Sequence, residues 1–203
     1  MNHDILLNKL KHYGVTGTAL EWLKNYLTDC TKATMFNGIL SDILNITCGV
    51  PQGSILGPLL FLIFISDMPR CTKLLTNLFA DDTTYQAARE ILKELFRFVN
   101  EELDKAAHWF NINHLTVHPG KTKYILFGNN KNIEAPTLTL NGTELERIHE
   151  NGTTKSFKFL GVHLDEHLSW KHHIDNINNK ISKISFHLTR LRKLLYTNHK
   201  VMI

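Results

Sequence analysis

Two neighbouring carboxylates are the sharpest chemical feature of the chain. Leu78-Phe79-Ala80-Asp81-Asp82-Thr83-Thr84-Tyr85 sets Asp81 and Asp82 between two apolar, β-prone segments. On a continuous strand adjacent side chains point to opposite faces, whereas at a hairpin bend both can approach one cation. Hard divalent cations take oxygen ligands, and two ions about 3.5–4 Å apart can stabilise the attacking and leaving oxygens of phosphoryl transfer. Taken alone, Asp-Asp more often marks a solvated turn. The second feature is Gly49-Val50-Pro51-Gln52-Gly53-Ser54-Ile55-Leu56-Gly57-Pro58. Its glycines let the backbone pass close to a ligand, and Pro51 stiffens the turn before Gln52. The Gln52 amide both donates and accepts, which suits a base edge or sugar, and Ser54 can cap a following helix. By itself such a loop can simply launch a buried helix. His163, His167, His172 and His173 invite a zinc reading, but the first two fall at a strand end and no cysteine joins them. A structural or solvated role is expected for them.

These residues need elements to hold them. Ile5, Leu6, Leu7 and Leu10 form the apolar face of a helix ending at Gly14, and a second helix begins near Thr16 or Thr18. Strand-like content over 31–37 and 43–50 is divided by Asn37-Gly38, a hairpin dipeptide. The glycine-rich loop runs into a buried helix, Leu59-Leu60-Phe61-Leu62-Ile63-Phe64-Ile65, and short strands over 73–80 and 83–87 flank the two aspartates. Leu92, Leu95, Val99, Leu103, Ala106 and Phe110 share one face of a helix over roughly 88–112. Residues 123–127 read as a strand, 130–154 as a small hairpin and 155–164 as one further strand. Ile174, Ile177, Ile181, Ile184, Leu188, Leu191 and Leu195 recur with 3,4 spacing, a long helix with a narrow apolar seam. That seam is expected to pack on the protein's own core, with self-association as the alternative. Helices and hairpins mix without regular βαβ alternation, so the expected class is α+β.

Composition narrows the setting. With 203 residues and 43% hydrophobic content the chain can bury a core, as one domain or one domain plus part of another. Charged residues at 21% and aromatics at 9% argue against a disordered tail. The longest apolar run, Ile55 to Ile65, is broken by Gly57 and Pro58 and falls short of the roughly 20 residues a membrane span needs. MNHDILLNKL lacks the pattern of a signal peptide, and Cys30, Cys48 and Cys71 show no C-x-x-C spacing. They read as reduced thiols inside a cell, nuclear or cytoplasmic, so the sequons at Asn45, Asn141 and Asn151 carry little weight. The net charge of +4 is uneven: residues 171–203 hold seven Lys/Arg against Asp175 alone. A polyanion would therefore meet the C-terminal helix.

The two chemical features, taken together and in order, resemble the reverse transcriptase palm, and in detail the polymerases of non-LTR (LINE-type) retrotransposons. Gly49 to Phe61 is similar to that family's motif B and Phe79-Ala80-Asp81-Asp82 to its motif C. Leu115 to Lys123 resembles motif D, and Phe159-Leu160-Gly161-Val162 resembles motif E, the primer grip. The resemblance implies that Asp81 and Asp82 ligate Mg²⁺, two ions in the family. It implies that Pro51, Gln52 and Gly53 line the dNTP and template pocket and that Lys121 is the general acid. Phe159, Leu160 and Gly161 would then hold the primer end, with Lys180, Lys183, Arg190, Arg192 and Lys193 along the nucleic-acid backbone. RNA template, DNA primer and dNTP are the implied partners, and no membrane is.

The implied layout is a palm remnant over 1–128, a hairpin and primer-grip region over 129–168, and over 169–203 a basic helix beginning a thumb. The resemblance starts just after the family's motif A, whose strand carries the aspartate shared by both metals. Asp4 precedes a helical apolar face and is not taken as its substitute. The chain alone is therefore expected not to polymerise DNA, to hold metal weakly, and to present an open sheet edge prone to self-pairing. A non-catalytic nucleic-acid-binding or coiled-coil module is the alternative.

Overall fold

The computed structural model describes residues 1–51, 53–128 and 136–194. In chain order its elements are α1 (His3–His12), α2 (Gly17–Leu27), β1 (Thr31–Lys32), β2 (Met35–Phe36), β3 (Ile39–Leu40), β4 (Leu44–Asn45), α3 (Leu56–Ile65), β5 (Leu75–Phe79), β6 (Asp82–Gln86), α4 (Leu92–Ile112), β7 (Lys123–Ile125), β8 (Thr139–Leu140), β9 (Thr143–Glu144), β10 (Glu146–Ile148), β11 (Phe157–Phe159), β12 (Val162–Leu164) and α5 (Lys171–Leu194). The class is α+β, helices with two-stranded sheets, five of them antiparallel and β7–β10 parallel. Among the described residues no helix is long and apolar enough to cross a membrane.

The chain divides into two units, Met1–Pro119 with Ala135–Glu144, and Gly120–Glu134 with Leu145–Ile203. The first is built on α1, α2 and α3. Asn2 caps α1, its Oδ1 accepting the Ile5 N–H at 3.1 Å, while Asp4 opens the helix and Lys9, Lys11 and His12 close it. That order matches the helix dipole. Leu6 and Leu10 of α1, Leu20 and Leu27 of α2, and Leu60, Phe64 and Ile65 of α3 form the buried core. Full burial of each such side chain is worth about 1.5–3 kcal/mol. Lys9 locks this arrangement, because its Nζ donates to Phe64 O and to Asp67 Oδ1, both at 2.7 Å. The same ammonium lies 4.8 Å from the Phe64 ring centroid and 4.7 Å from that of Trp109 on α4.

In α4 the buried residues are Phe96, Glu102, Leu103, Ala106 and Ala107, one stripe of the helix. The helix starts at Leu92, four residues later than its periodicity suggests. Asn100 ties it to β8: its Nδ2 donates to Thr137 O at 3.1 Å, and its Oδ1 accepts Thr139 N–H at 2.9 Å. The β2–β3 hairpin turns at Asn37-Gly38, with φ of 49° and 79°, as a type I′ turn requires. Its apolar residues Met35, Phe36, Ile39 and Leu40 are exposed.

In the second unit two expectations are corrected. Residues 155–164 are not one strand: β11 and β12 form a hairpin, with Leu160 and Gly161 at φ 45° and 92°. Residues 130–154 hold more than a small hairpin, because β10 leaves the β8–β9 turn and pairs in parallel with β7. An ion pair fixes that pairing, Lys123 Nζ to Glu146 Oε2 at 2.7 Å. Asp165 then links β12 to α5, its Oδ1 accepting the N–H groups of His167 and Ser169 at 3.0 Å each. The apolar seam of α5 differs from expectation too. Ile174, Ile177, Ile181, Ile184, Leu188 and Leu191 are exposed, and α5 meets β12 through its first turn, where His173 Nδ1 accepts the His163 N–H. Leu195 lies outside the described residues.

Candidate metal and nucleotide site

The β5–β6 ribbon sets the geometry of the two aspartates. Leu75 pairs with Gln86, Leu78 with Thr83 and Phe79 with Asp82, so Ala80 and Asp81 make a two-residue bend. Strand alternation sends Leu74, Thr76, Leu78, Thr83 and Tyr85 inward and leaves Leu75, Asn77, Phe79, Asp82 and Thr84 on the outer face. Leu78 packs against the α1–α2–α3 core, and Tyr85 reaches Met68, its hydroxyl 3.6 Å from Sδ. Burial pushes the Tyr85 hydroxyl pKa upward, which keeps it protonated and structural. Asp81 therefore stands in the bend and Asp82 at the head of β6, both exposed. Among the described residues no hydrogen bond or ion pair engages either carboxylate. Ala80 adopts φ 51°, a left-handed conformation that costs an L-residue about 1–2 kcal/mol.

The glycine-rich loop is braced at both ends. Val50 and Leu56 pack against the same core that receives Leu78. Ser54 Oγ accepts the Gly57 N–H at 3.0 Å, the capping role its type suggests, in the first turn of α3. A Cβ on Gly57 would meet that Oγ at 2.9 Å and Val50 Cγ2 at 3.2 Å, so Gly57 is glycine for want of room. Gly53 is glycine for its φ of 81°. Pro51 is half-buried and Gly53 exposed; Gln52 lies outside the described residues.

Two exposed carboxylates fit a hard cation in donor type. Among the described residues no group of three or more His, Cys, Asp or Glu is arranged to hold a metal ion. An open cavity of about 460 Å³, lined by Cys71, Asp104, Lys105, His108, Trp109 and Ile112, includes neither Asp81 nor Asp82 nor any residue of the glycine-rich loop. The segment that leads into β5 is held by a residue that sequence reasoning passed over. Glu102, 2% exposed, accepts from Thr72 Oγ1 at 3.1 Å, from the Lys73 N–H at 2.5 Å and from Lys105 Nζ at 2.5 Å. The Lys105 and Lys73 donors lower its carboxyl pKa to about 2, against the burial that opposes them.

The remaining sequence-predicted residues belong to the second unit. Lys121 ends a short 3-10 turn, Pro119–Lys121, with an exposed side chain. Lys123, its near neighbour, is committed elsewhere: besides Glu146 it donates to Thr154 Oγ1 at 3.0 Å. That ammonium, with the Thr154 and Thr153 hydroxyls, lowers the Glu146 carboxyl to about 2. Phe159 ends β11, and Leu160 and Gly161 are the bend itself. On α5 the side chains of Lys180, Lys183, Arg190 and Arg192 are exposed; that of Lys193 lies outside the described ones. Burial, then the neighbouring His173, hold the His163 imidazole below its ordinary pKa, in keeping with a structural role.

The loop, α3 and the Asp-Asp bend follow one another in the order expected from the sequence, but α3 is buried on one side only: Leu60, Phe64 and Ile65 are buried, whereas Leu59 and Leu62 are exposed. The family model described as reverse transcriptase (RNA-dependent DNA polymerase) matches residues 1–164, and the chain belongs to that family. Its relatives are polymerases of non-LTR retrotransposons. It is 30% identical over 184 residues to the RNA-directed DNA polymerase from mobile element jockey of Drosophila melanogaster, covering 85% of this chain and 19% of the relative. The Drosophila funebris jockey polymerase is 30% identical over 208 residues, covering 97% of this chain and 22% of its own length. The probable RNA-directed DNA polymerase from transposon BS of Drosophila melanogaster is 31% identical over 187 residues, 85% of this chain and 19% of the relative. The chain thus spans about a fifth of the length of the curated relatives it matches. No solved structure gives a significant match.

Proposed function

We propose that this chain supplies part of the polymerising centre of an RNA-directed DNA polymerase, with a palm over 1–128, a primer-grip region over 129–168 and the start of a thumb over 169–203. Asp81 and Asp82 would hold Mg²⁺ through their carboxylate oxygens, and the loop at Pro51, Gln52 and Gly53 would line the dNTP and template pocket. Magnesium held there offsets the negative charge that develops on a transferring phosphoryl group. Lys121, whose side chain is exposed, is proposed over the ion-paired Lys123 as the lysine that would donate a proton from Nζ to a leaving pyrophosphate oxygen. The Phe159-Leu160-Gly161 bend would hold a primer end in line, a positioning role. An intracellular setting goes with this reading.

The observation that carries it is the exposed, unengaged Asp-Asp pair at a two-residue bend whose strand is seated, through Leu78, on the same core as Val50 of the loop. Two such carboxylates alone give too few fixed oxygens for two ions at working geometry. The 203-residue chain by itself is therefore proposed not to extend a primer. Adding Mn²⁺ to the ¹⁵N-labelled chain should broaden the amide signals of Ala80 to Thr83, and the D81N/D82N double variant should lose that broadening. Broadening centred elsewhere, or unchanged in the variant, sinks the metal assignment. Primer extension on an RNA template by the wild-type chain, if abolished by Asp81→Asn, would overturn the proposed inactivity.

The exposed basic side chains of α5 favour a second, compatible reading in which the chain grips a template–primer duplex without catalysis.

A further inference from the structure

The residues that lead into α1 are fastened to the arm that leads into the glycine-rich loop. Met1 O accepts the Gly49 N–H at 2.7 Å, Asn2 and Cys48 form an antiparallel bridge, and His3 Nε2 lies 2.7 Å from Gly49 O. A carbonyl oxygen only accepts, so His3 Nε2 carries the proton and donates. Both polar backbone groups of Gly49 are thus taken up by this one short segment. The post they are tied to is firm, because Leu6 and Leu10 of α1 are 0% and 2% exposed in the core. Gly49 itself has φ 88°, and a Cβ placed on it would meet nothing within 4 Å, so its backbone conformation rather than crowding demands glycine. A glycine that turns without side-chain contacts has only its hydrogen bonds to fix its direction, and among the described residues His3 supplies the one that comes from a side chain.

We propose that His3 is a positioning residue that aims the Pro51–Gly53 loop, and with it the nucleotide pocket, from the first turn of α1. This rests on the reading of that loop as part of the nucleotide pocket. The bond acts two residues before Pro51. Beyond it, Val50 packs on the core and Ser54 caps α3, so the loop is held at its entry by His3 and at its exit by Ser54. Losing the first leaves the second, so the effect is confined to the loop's entry at Gly49.

Amide hydrogen exchange on the 203-residue chain tests this without metal or nucleotide. In His3→Ala, exchange at Gly49, whose N–H is bonded to Met1 O, should speed up about five- to tenfold, with Leu6 and Leu60 unchanged. His3→Gln should restore protection, since its amide nitrogen is a donor at about the reach of Nε2. Unchanged exchange at Gly49, equal acceleration at Leu6 and Leu60, or no rescue by glutamine would overturn the proposal. Should His3→Ala fail to fold, the wild-type imidazole ¹⁵N spectrum at pH 8 still decides: an Nε2–H tautomer supports the bond and an Nδ1–H tautomer removes it. Titration with dATP and Mg²⁺ separates the two levels. If the exchange results hold but the Gly53 signal ignores dATP in the wild-type chain, the pocket reading fails while the tether stands. If Gly53 responds equally in wild type and His3→Ala, the pocket stands and His3 does not aim it.

Discussion

At the scale of single residues, a buried acid outside the candidate site holds the segment that leads into β5. Glu102 accepts three donors from Thr72, Lys73 and Lys105, so Glu102→Gln should lower stability by about 2 kcal/mol at pH 7, read by urea denaturation. The pH dependence has a defined sign. The carboxyl is lowered from its ordinary 4.5 to about 2 in the folded chain, so the stability it contributes is complete above that ordinary value and is lost as pH falls toward 2. Glu146 titrates over the same acid range, so the glutamine variant should flatten the acid limb of a stability curve without abolishing it. Ala80 offers the opposite case. Glycine tolerates φ 51° at no steric cost, and Ala80→Gly should raise the melting temperature while leaving the carboxylates in place, a gain of about 0.5–1 kcal/mol. Asp81 and Asp82 were legible because they are adjacent letters between two apolar runs. Glu102 was not, because two of its three donors, Thr72 and Lys73, lie about 30 residues away and meet it only once α4 has packed; Lys105, three residues on, reads by itself as an ordinary surface pair.

At the scale of elements, turns declared themselves where their chemistry is local. Asn37-Gly38 and Asn141-Gly142 are hairpin dipeptides by composition, and both bend the chain with positive φ at each residue. Leu160-Gly161 does the same with a leucine at φ 45°, a residue type that gives no warning, so one expected strand is two. The parallel β7–β10 pair escaped for another reason: Lys123 and Glu146 find each other across a 23-residue separation that no window of periodicity covers. The α5 seam was read correctly as a pattern and incorrectly as a buried one. Its exposure sets an expectation: Ile181→Ser and Leu188→Ser should change the stability of the monomer by less than about 0.5 kcal/mol. The basic side chains of the same helix give a binding prediction. Reversing Lys180 and Lys183 to glutamate should reduce the slope of log affinity against log salt for an RNA–DNA duplex by about two, measured by fluorescence anisotropy. An unchanged slope would place the duplex elsewhere.

At the scale of the molecule, the first unit has its own core in α1, α2 and α3, while its β2–β3 hairpin leaves Met35, Phe36, Ile39 and Leu40 uncovered. Two-stranded ribbons are marginal on their own, and exposed strand edges and apolar faces invite pairing between copies. The purified chain should therefore melt over a broad interval and sediment as larger species as concentration rises. A sharp transition with a concentration-independent monomer would refute that expectation. The order in which the backbone visits the two units has a further consequence. It leaves the first for the second after Pro119, returns at Ala135 to add the β8–β9 hairpin that Asn100 secures against α4, and departs again after Glu144. No single cleavage can part the two. A protease cutting between 128 and 136 would yield fragments that each retain pieces of both, and a gene shortened at codon 119 would deprive α4 of the strand it holds.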